Sequence, residues 1–385
     1  MIQTFQNIFI ELTIYDQIFL AIFCLLFFLR FLYLFLFTGR VLFRKKRNIE
    51  NSEKYPFSLI FTVRNQEENL KNNLPKVLIQ EGVDFEVIVV DDFSQDNSFL
   101  VLGLLKERYK RLKISMLNQE TRFSTKQAQN IALKAAENNW VLTNPTSIFE
   151  FHSEWLSTFA KVLNEEKNLV VGYSNVKYSK GFFNHLYRIE SYFQFVKSAG
   201  FVLNRIPILY SEDNVAFQKK KYFEMDGYSK KITEPFANLE LLFNSFSRKK
   251  TTTVLFEKET SVRKKELVKC ENYLDLLKKS FRIEKHLSAS KKAVLLFEEI
   301  TRLIFLPITI FVILLYSELW PLIVTLLGLK VLAHLLIIKI LQNRLNERKI
   351  FISSLVYQFI IPYFKLFYRW YFNHRMKKHG WRNKI

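Results

Sequence analysis

The segment FEVIVVDDFSQDNS, residues 85–98, limits what this chain can fold into more than any other stretch. Its core, Glu86–Val90, is a short run rich in valine and isoleucine, which is typical of a strand buried on both faces of a parallel sheet. The run ends at Asp91 and Asp92, and turn-forming residues follow. Because ligands of open α/β sheets bind at the carboxyl ends of the strands, the paired carboxylates predict a binding site. Capping of a helix that begins near Phe99 is the alternative role for these acids.

Strand-like and helix-like segments alternate from residue 55 onward. Short apolar runs predict strands at Phe57–Val63, up to Asp92, at Leu112–Leu117 and at Trp140–Thr143. Helical spacing of apolar residues predicts helices at Leu70–Gln80, Phe99–Tyr109 and Thr125–Asn138. The strict alternation predicts an α/β fold whose mostly parallel sheet is flanked by helices.

Glycine and cysteine usage narrows the possible functions. The 385 residues include only nine glycines, and no two of them lie close together. Glycine-rich dinucleotide and phosphate loops need glycines a few residues apart, so any nucleotide must be held in another way. Cys24 lies in an apolar segment and Cys270 in a polar one, and neither has metal-ligand spacing around it. This pattern argues against a disulfide framework and favours a reducing compartment.

The formal net charge of +21 favours contact with an anionic partner. Much of the excess lies in two clusters beside apolar segments: Arg40, Arg44, Lys45, Lys46 and Arg47, and then Arg375, Lys377, Lys378, Arg382 and Lys384. Such placement is typical of a protein that lies against anionic cytoplasmic lipid. The sequence carries no recognition helix, zinc spacing or RNA-binding motif. Membrane lipids are therefore predicted partners, and nucleic acid is not.

An apolar segment, Tyr15–Phe37, has the length that a membrane-spanning helix requires and is interrupted only by Arg30. No basic stretch precedes it and no small-residue cleavage site follows, so we expect an anchor and not a cleaved signal. Acids before it and bases after it predict that residue 40 onward faces the cytoplasm. Arg30 is expected either to reach the cytoplasmic headgroups or to meet a lipid phosphate.

The C-terminal part returns to apolar sequence. A helical hairpin is predicted over Leu303–Tyr316 and Leu319–Leu341, whereas Ile350–Phe367 contains Pro362 and Lys365 and is expected to lie in the membrane interface. The predicted organisation is an N-terminal anchor with a basic flank, a cytoplasmic domain, a transmembrane hairpin, and an interfacial segment with a basic tail. Their boundaries are 1–48, 55–290, 295–343 and 350–385.

Four motifs carry a family resemblance. SLIFTVRNQEENL, VIVVDDFSQDNS and KQAQNIALKAAENNWVLT resemble the N-terminal half of a glycosyltransferase family 2 domain, and SEDNVAFQKKKYFEMDGY resembles its acceptor-side segment. The resemblance covers roughly residues 55 to 287. It implies a GT-A fold, which is a Rossmann-like, mostly parallel sheet. It also implies a nucleotide-sugar donor, with the uracil and ribose of a UDP-sugar at the first two strand ends.

The resemblance implies a set of nucleotide-binding residues. Thr62 and Arg64 follow the first strand, and Asp91 or Asp92 follows the second; a carboxylate can accept the imide N–H of a pyrimidine. Two further residues complete the set at this part of the chain, Glu67 and Lys126. The family's diphosphate clamp would fall near residues 281–287, where Arg282 and Lys285 supply positive charge. A basic interfacial helix is the alternative reading of that segment.

The metal motif of the family is altered in this chain. Relatives place Asp-x-Asp after the strand that ends near Leu142, where two carboxylates hold Mg²⁺ or Mn²⁺. This sequence has Thr143-Asn144-Pro145-Thr146-Ser147 there, whose neutral oxygens bind a hard cation far more weakly. The nearest acid downstream is Glu150. No metal ligand is therefore assigned, and a divalent cation stays only an implication of the family.

The general base is implied near residues 233–244. Inverting transfer needs a carboxylate that takes the proton of the acceptor hydroxyl. Glu240 is the first candidate by position and Glu234 the second. The alternative for Glu240 is a polar residue on the exposed face of an apolar helix.

Two functions follow from these patterns. The first is a multi-pass protein of the bacterial inner membrane that transfers a sugar from a nucleotide donor, UDP-linked by the resemblance, to a lipid or glycan acceptor at the membrane. The second is a catalytically inactive relative that binds nucleotide or acts as a scaffold. Hydrolase motifs such as G-x-S-x-G or H-E-x-x-H are absent from the sequence.

Overall fold

The computed structural model describes residues 13–42, 55–120, 123–144, 147–248 and 250–379. The basic cluster at 44–47, Pro145, Thr146, Arg382 and Lys384 therefore lie outside the described residues. The described chain divides into two compact units. One is an α/β unit within Arg44–Leu287 that also includes Leu341–Ile350, and the other is helical and draws on Met1–Phe43, Ser288–Ile340 and Phe351–Ile385.

The α/β unit contains ten strands and eight α-helices in its described residues. The strands are β1 Phe57–Val63, β2 Phe85–Asp91, β3 Leu112–Met116, β4 Trp140–Thr143, β5 Ile148–Glu150, β6 Leu169–Val171, β7 Ser174–Val176, β8 Val215–Gln218, β9 Thr252–Val254 and β10 Val262–Lys264. The helices, numbered from α2 because α1 belongs to the helical unit, are α2 Glu67–Leu78, α3 Ser98–Arg108, α4 Ser124–Ala135, α5 Trp155–Ala160, α6 Phe182–Leu203, α7 Lys219–Phe223, α8 Leu239–Phe246 and α9 Cys270–Lys285.

The main sheet has seven strands in the order β3-β2-β1-β4-β8-β6-β9. The first half is parallel, since β1 pairs in parallel with β2 and β4, and β2 with β3. Strand β8 runs antiparallel to both of its neighbours, β4 and β6, and β6 is parallel to β9. The sheet is therefore mostly parallel and mixed, with helices on its faces. This confirms the predicted fold class.

The register of β1 and β2 brings two predicted site segments together. Val63 lies beside Asp91, and the Asp92 backbone N–H donates to the Val63 carbonyl at 2.7 Å. Because both strands run in parallel and end at this level, the loops that follow them lie at one edge of the sheet.

The second half of the unit carries a small sheet that the sequence pattern does not predict. Strand β10 lies between β5 and β7, antiparallel to the first and parallel to the second. Each of these strands has only three residues, which is too short for a period-2 pattern to be recognised. The small sheet nevertheless positions Lys264 at the end of β10.

The core of the α/β unit lies between the main sheet and its helices. All seven residues of β2 are buried, as the continuous apolar run predicts. Helix α2 buries Leu70, Leu74 and Val77, which recur at helical spacing and cover the sheet. Burial of this apolar surface is the main driving force that holds the strand ends in register.

The helical unit is built from α1 Ile14–Tyr33, α10 Ala289–Leu315, α11 Trp320–Arg344 and α12 Phe351–His379. Among the described residues, three helices are long and apolar enough to cross a membrane: Ile14–Val41, Trp320–Arg344 and Phe351–Arg375. Helix α10, which contains the first arm of the predicted hairpin, is not one of the three. Helix α12 is one of the three by length and composition, and the interfacial placement of Ile350–Phe367 stays a prediction.

The segment Leu341–Ile350 packs within the α/β unit although it joins two apolar helices. Its Glu347 has no exposed surface and forms ion pairs with Arg188 and, at 3.3 Å, with Arg263. The Tyr173 hydroxyl donates to the same carboxylate at 2.7 Å. A buried carboxylate that is paired with two guanidinium groups and a hydroxyl has most of its hydrogen-bonding capacity satisfied.

Replacing Glu347 by alanine should destabilise the α/β unit by about 3–5 kcal/mol, because two buried cations lose their partner. Thermal unfolding of the detergent-solubilised protein measures the loss. The matched control is Glu107→Ala, which removes an exposed carboxylate on α3 and should leave the melting temperature unchanged. Equal melting temperatures for both variants would contradict a structural role for Glu347.

Candidate functional site

The loops that follow β1 and β2 hold each other by side-chain hydrogen bonds. The Asn65 backbone N–H donates to Ser94 Oγ at 2.9 Å, and the Gln95 N–H donates to Asn65 Oδ1 at 2.8 Å. Asp96 accepts the Glu67 N–H at the start of α2 and the Ser98 N–H at the start of α3. Asp96 therefore caps the helix that begins near Phe99, which was the alternative role for Asp91 and Asp92.

The two adjacent aspartates at the end of β2 have different surroundings. Asp91 is buried, and its oxygens accept hydrogen bonds from the Ser94 N–H, at 3.0 Å, and the Ser94 hydroxyl. Asp92 is also buried; its Oδ2 accepts the Thr125 hydroxyl at 3.0 Å, while its Oδ1 has no partner among the described residues. Asp91 thus shapes the loop, and Asp92 retains an acceptor atom for a ligand.

A cavity of about 150 Å³ lies at the carboxyl ends of β1 and β4. Its wall is formed by Ile60, Thr62, Thr125, Gln129, Thr143, Asn144, Glu212, Asp213, Lys264 and Glu266. The side-chain amide of Asn144 is buried, and neither its nitrogen nor its oxygen has a partner among the described residues. An unsatisfied buried amide is costly, so this position favours a polar ligand.

A second cavity, of about 360 Å³, adjoins the first and lies within the usual size range for small-molecule sites, about 300–1,000 Å³. It is lined by Val171, Gly172, Ser174, Tyr187, Ser191, Gln194, Phe195, Ser198, Leu209, Tyr210, Ser211, Asp213, Pro235, Phe236, Lys264, Glu266, Asn272, Asp275, Leu276 and Lys279. The wall contains both aromatic rings and small hydroxyl-bearing side chains. The two cavities share Asp213, Lys264 and Glu266.

The three shared residues form an ion-pair network. Lys264 Nζ lies 3.2 Å from an Asp213 oxygen and 3.4 Å from a Glu266 oxygen. Burial favours the neutral forms, but the opposite charges outweigh it, so the pKa of Lys264 is raised and that of Asp213 is lowered. Asp213 is 23% exposed, which leaves it accessible from the cavities as an ionised carboxylate.

Two residues beside Asp213 fix its position. Glu212 accepts the Gln129 side-chain amide at 3.1 Å and the Leu239 backbone N–H at 3.0 Å, which ties it to α4 and to the start of α8. Asn214, fully buried with φ of 60°, donates to the carbonyl oxygens of Tyr173 and Thr260. Asp213 is therefore held between two anchored neighbours.

The first candidate base, Glu240, lies behind the cavities and does not line either of them. It is fully buried on α8, and its carboxylate forms an ion pair with Lys279 at 2.8 Å. Burial raises the pKa of Glu240 to about 7, against the attraction of Lys279 and with a contribution from Glu212. The expectation of an exposed polar residue on α8 does not describe this side chain, because Lys279 on α9 pairs with it inside the unit.

The second candidate base, Glu234, is paired with a predicted diphosphate ligand. Arg282 Nε donates to both of its oxygens, at 2.8 and 2.9 Å, and His286 Nε2 lies 2.9 Å from one of them. Burial disfavours the charged carboxylate, but these bonds outweigh it and lower the pKa of Glu234. Lys285 is exposed on the same helix. The structure therefore joins Glu234 to Arg282, apart from the two cavities.

Four other residues were predicted to bind the nucleotide: Thr62, Lys126, Arg64 and Glu67. Thr62 lines the smaller cavity, as its place at the end of β1 predicts. Lys126 instead donates to the backbone carbonyls of Lys231, Ile232 and Glu234, and burial lowers its pKa. Exposed Arg64 lies in the loop after β1 and pairs with Glu120 at 2.7 Å, and Glu67, the first residue of α2, accepts the Asn97 side-chain amide at 3.1 Å.

The described residues do not fit a site for Mg²⁺ or Mn²⁺. No group of three or more His, Cys, Asp or Glu side chains in the described part of the chain could hold a metal ion. Thr143 Oγ1 is engaged with the Glu212 and Val215 carbonyls, which leaves the neutral amide of Asn144 as the donor at this strand end. The ammonium of Lys264 already lies between Asp213 and Glu266, which are two of the three carboxylates that border the cavity, and the third, Glu212, is bound to Gln129 and the Leu239 N–H. A divalent cation there would meet a positive charge instead of a carboxylate pair.

Comparison with known proteins agrees with this geometry. The family model described as glycosyl transferase family 2 matches residues 58–227, which include β1, β2, β4 and the Asp213 turn. Residues 58–227 are therefore similar to a glycosyl transferase family 2 domain. No curated protein matches the chain significantly.

One solved structure supports a GT-A fold for the matched domain, and two others are less similar. The mannosyltransferase PcManGT from Pyrobaculum calidifontis, in complex with GDP-Man and Mn²⁺, is 16% identical, with a TM-score of 0.55 over 89% of this chain and 97% of that chain. TarS 1-349 from S. aureus with UDP is 20% identical, with a TM-score of 0.42 over 60% of this chain and 65% of that one. Glucosyl-3-phosphoglycerate synthase from Mycobacterium tuberculosis, with Mn²⁺, UDP and glucosyl-3-phosphoglycerate, is 11% identical, with a TM-score of 0.41 over 64% of this chain and 87% of that one. Of these three, only the PcManGT structure has a TM-score above 0.5, so only this similarity supports the fold. At 16% identity it does not identify the substrate of this chain.

Three residues at the centre of the site, Asp213, Lys264 and Glu266, were not predicted from the sequence. Asp213 lies inside the recognised segment SEDNVAF, where the asparagine drew attention and the preceding acid did not. Lys264 and Glu266 lie in the stretch RKKE, which looks like an ordinary charged surface loop. The signal that could have found Asp213 is its place just before a fully buried strand, β8.

The raised pKa of Glu240 predicts a pH dependence of stability. Between about pH 4.5 and 7, Glu240 is protonated in the folded chain and ionised in the unfolded chain, so the folded state binds more protons. The free energy of unfolding should therefore fall as pH rises through this window, relative to that of Glu240→Gln. Denaturant unfolding of both proteins from pH 4.5 to 8 measures the difference. Parallel curves would show that Glu240 titrates normally.

Proposed function

We propose that this protein is a membrane-anchored glycosyltransferase that moves a sugar from a nucleotide-sugar donor to an acceptor near the membrane. The nucleobase of the donor, uracil by the family resemblance, occupies the smaller cavity, and the acceptor enters the larger one. The observation that carries the proposal is the pair of adjoining cavities, which meet at an ionised carboxylate, Asp213, and an ammonium, Lys264. Transfer between two substrates needs both of them bound side by side.

Asp92 and Asn144 support donor binding. Both are buried at the strand ends beside the smaller cavity, and both retain hydrogen-bonding atoms without described partners. A carboxylate acceptor together with an amide donor and acceptor suits a pyrimidine ring, whose edge offers an N–H between two carbonyl groups. The PcManGT structure, which holds GDP-Man, shows that a protein of this fold takes a nucleotide sugar.

Asp213 is the proposed general base. The acceptor hydroxyl loses its proton to the Asp213 carboxylate as its oxygen bonds to the anomeric carbon, and the bond from that carbon to the diphosphate oxygen breaks. The leaving nucleoside diphosphate carries away the electron pair. Lys264, at the same junction, neutralises the charge that develops on it. In this mechanism the Lys264 side chain supplies the positive charge that a metal ion supplies in other enzymes.

The proposed location is the bacterial inner membrane, with the family 2 domain in the cytoplasm. Three helices with the length and composition of membrane spans support membrane attachment. The basic residue Arg40, at the C-terminal end of the first of them, favours cytoplasmic placement of the domain. The acceptor is then a lipid or a lipid-bound glycan.

A catalytically inactive binding or scaffold protein is the second candidate. The observation that favours it is that both carboxylates implied as the base are engaged elsewhere, Glu240 by Lys279 and Glu234 by Arg282. Under this alternative, the smaller cavity binds nucleotide and no transfer follows.

Replacing Asp92 by asparagine should weaken UDP binding by about tenfold or more, because a buried charged acceptor is lost next to Thr125 of the cavity wall. Isothermal titration calorimetry of the solubilised protein with UDP measures the affinity. Addition of EDTA should not change it, since Lys264 already occupies the space between Asp213 and Glu266 where a divalent cation would need carboxylate ligands. The control Asp84→Asn alters an exposed acid at the opposite end of β2 and should bind UDP normally. Unchanged binding by the Asp92 variant would remove this residue from the donor site.

Replacing Asp213 by asparagine should lower turnover by about 10²–10⁴-fold while UDP binding persists. Release of UDP from UDP-sugars in native membrane extract, which supplies the acceptor, measures the rate. Turnover by the wild type that the variant lacks supports the transferase. If the wild type binds UDP yet releases none from any UDP-sugar tested, the inactive alternative holds.

A further inference from the structure

The segment Leu341–Ile350 packs within the α/β unit, yet it joins two helices with the length and composition of membrane spans. Residues 345–350 alone separate the last residue of α11 from the first residue of α12. A connection of this length reaches at most about 20 Å when fully extended, so it stays near the membrane surface once those helices are inserted. The parts of the α/β unit that contact this segment are therefore also near that surface.

The aromatic ring of Tyr178 lies beside this segment. The Lys349 ammonium is 3.9 Å from the centre of the ring. The guanidinium carbon of Arg188 lies 5.4 Å from the same ring centre, and Arg188 also donates to the Arg348 carbonyl at 2.7 Å. Tyr178 is thus held at the segment from two directions.

Tyr178 belongs to an exposed loop, residues 177–182, which joins β7 to α6 and is called the 177–182 loop below. Every residue of this loop is exposed. Tyr178 is 42% exposed and Phe182 is 69% exposed, and the exposed Lys180 lies between them in the sequence. Two exposed aromatic rings with a lysine between them have the composition typical of a membrane interface.

The 177–182 loop has a defined shape. The buried side chain of Asn184 accepts the Ser179 backbone N–H at 3.1 Å and donates to the Lys177 carbonyl at 3.2 Å. Gly181 has a φ of 144°, a conformation that favours glycine, and it directly precedes α6. The rings are therefore presented at the surface by a structured turn.

We propose that the 177–182 loop binds the headgroup layer of an anionic membrane. The Tyr178 and Phe182 rings lie in the interface, and the Lys180 and Lys349 ammonium groups contact lipid phosphates there. The inference rests on the membrane attachment in the proposed function, but it does not require nucleotide binding or sugar transfer. A membrane fits this surface better than a protein partner does, because residues 345–350 keep the loop close to the bilayer at all times.

Lipid contact at this loop has a consequence for the larger cavity. Helix α6 begins at Phe182, and its residues Tyr187 and Ser191 line that cavity. Tyr187 follows Phe182 by only about 8 Å along the helix axis. The loop would therefore hold one wall of the proposed acceptor cavity next to the lipid from which the acceptor comes.

Quenching of a fluorophore by spin-labelled lipid tests the proposal. The full-length protein, with Cys24→Ser and Cys270→Ser, receives one new cysteine by Phe182→Cys or Phe223→Cys, which is labelled with the fluorophore NBD. Each protein is placed in nanodiscs of phosphatidylcholine and phosphatidylglycerol that contain a lipid with a nitroxide near its headgroup. The fluorophore at position 182 should be quenched several-fold more strongly, and emit at a shorter wavelength, than the fluorophore at position 223.

Phe223 is the matched control because its chemistry is similar and its place is different. It is also exposed and follows three lysines, Lys219, Lys220 and Lys221. The Lys219 N–H donates to the Asn139 carbonyl at 2.7 Å, so α7 lies at the amino end of β4, away from the cavities. Both phenylalanines are exposed, so neither substitution should lower the melting temperature.

Two lysine variants test the role of charge in the protein labelled at position 182. Lys180→Ser should shift the equilibrium between bound and unbound loop about fivefold toward the unbound state, and quenching should fall. Lys220→Ser removes an exposed lysine elsewhere and should leave quenching unchanged. In nanodiscs of phosphatidylcholine alone, quenching at position 182 should be weaker than in the anionic ones.

Three results would overturn the proposal. The first is quenching at position 182 that is no stronger than at position 223. The second is an equal effect of Lys180→Ser and Lys220→Ser, which would indicate general attraction to a charged surface. The third is equal quenching in neutral and anionic nanodiscs. UDP affinity, measured on the same samples, reports on the proposed function separately, because the 177–182 loop does not line the smaller cavity.

Discussion

The side chain of Asn214 is the contact on which the geometry of the site depends. Its amide nitrogen donates to Tyr173 and Thr260, and its oxygen accepts the Trp155 indole N–H, so one residue joins three separate segments. The amide packs so closely over Gly172 that a Cβ at this glycine would overlap it. Since Asn214 directly precedes β8, it also fixes the turn that presents Asp213. The two cavities share a wall because this turn is held in place.

The parallel half of the fold could be predicted from the sequence because its signals are local. Strands β1 and β4 begin and end at the predicted residues, since continuous apolar runs are typical of fully buried strands. The small sheet could not be predicted, because three-residue strands carry no periodicity and pair only through tertiary contacts. The same reason explains which site residues could be predicted. Asp92 directly follows a recognisable strand, whereas Lys264 lies beside Asp213 only in the folded chain, where β10 pairs with β7.

Several residues with ligand-like chemistry are engaged by the chain itself. Asp91 holds Ser94, Lys126 holds three backbone carbonyls, and Arg282 holds Glu234. A carboxylate or ammonium group binds an internal partner by the same forces as an external one, so residue type at a strand end does not distinguish the two cases. The hydrogen bonds of the folded chain do distinguish them. Asp92 Oδ1 and both polar side-chain atoms of Asn144 have no hydrogen-bond partner among the described residues.

A charge that belongs to the chain differs from a bound ion because it cannot dissociate. With Lys264 between Asp213 and Glu266, the electrostatic balance at the junction is set when the protein is synthesised, and scarcity of divalent ions in the cell does not alter it. The balance becomes sensitive to other conditions instead. Covalent neutralisation of one lysine, by acetylation for example, would leave two neighbouring carboxylates to repel each other.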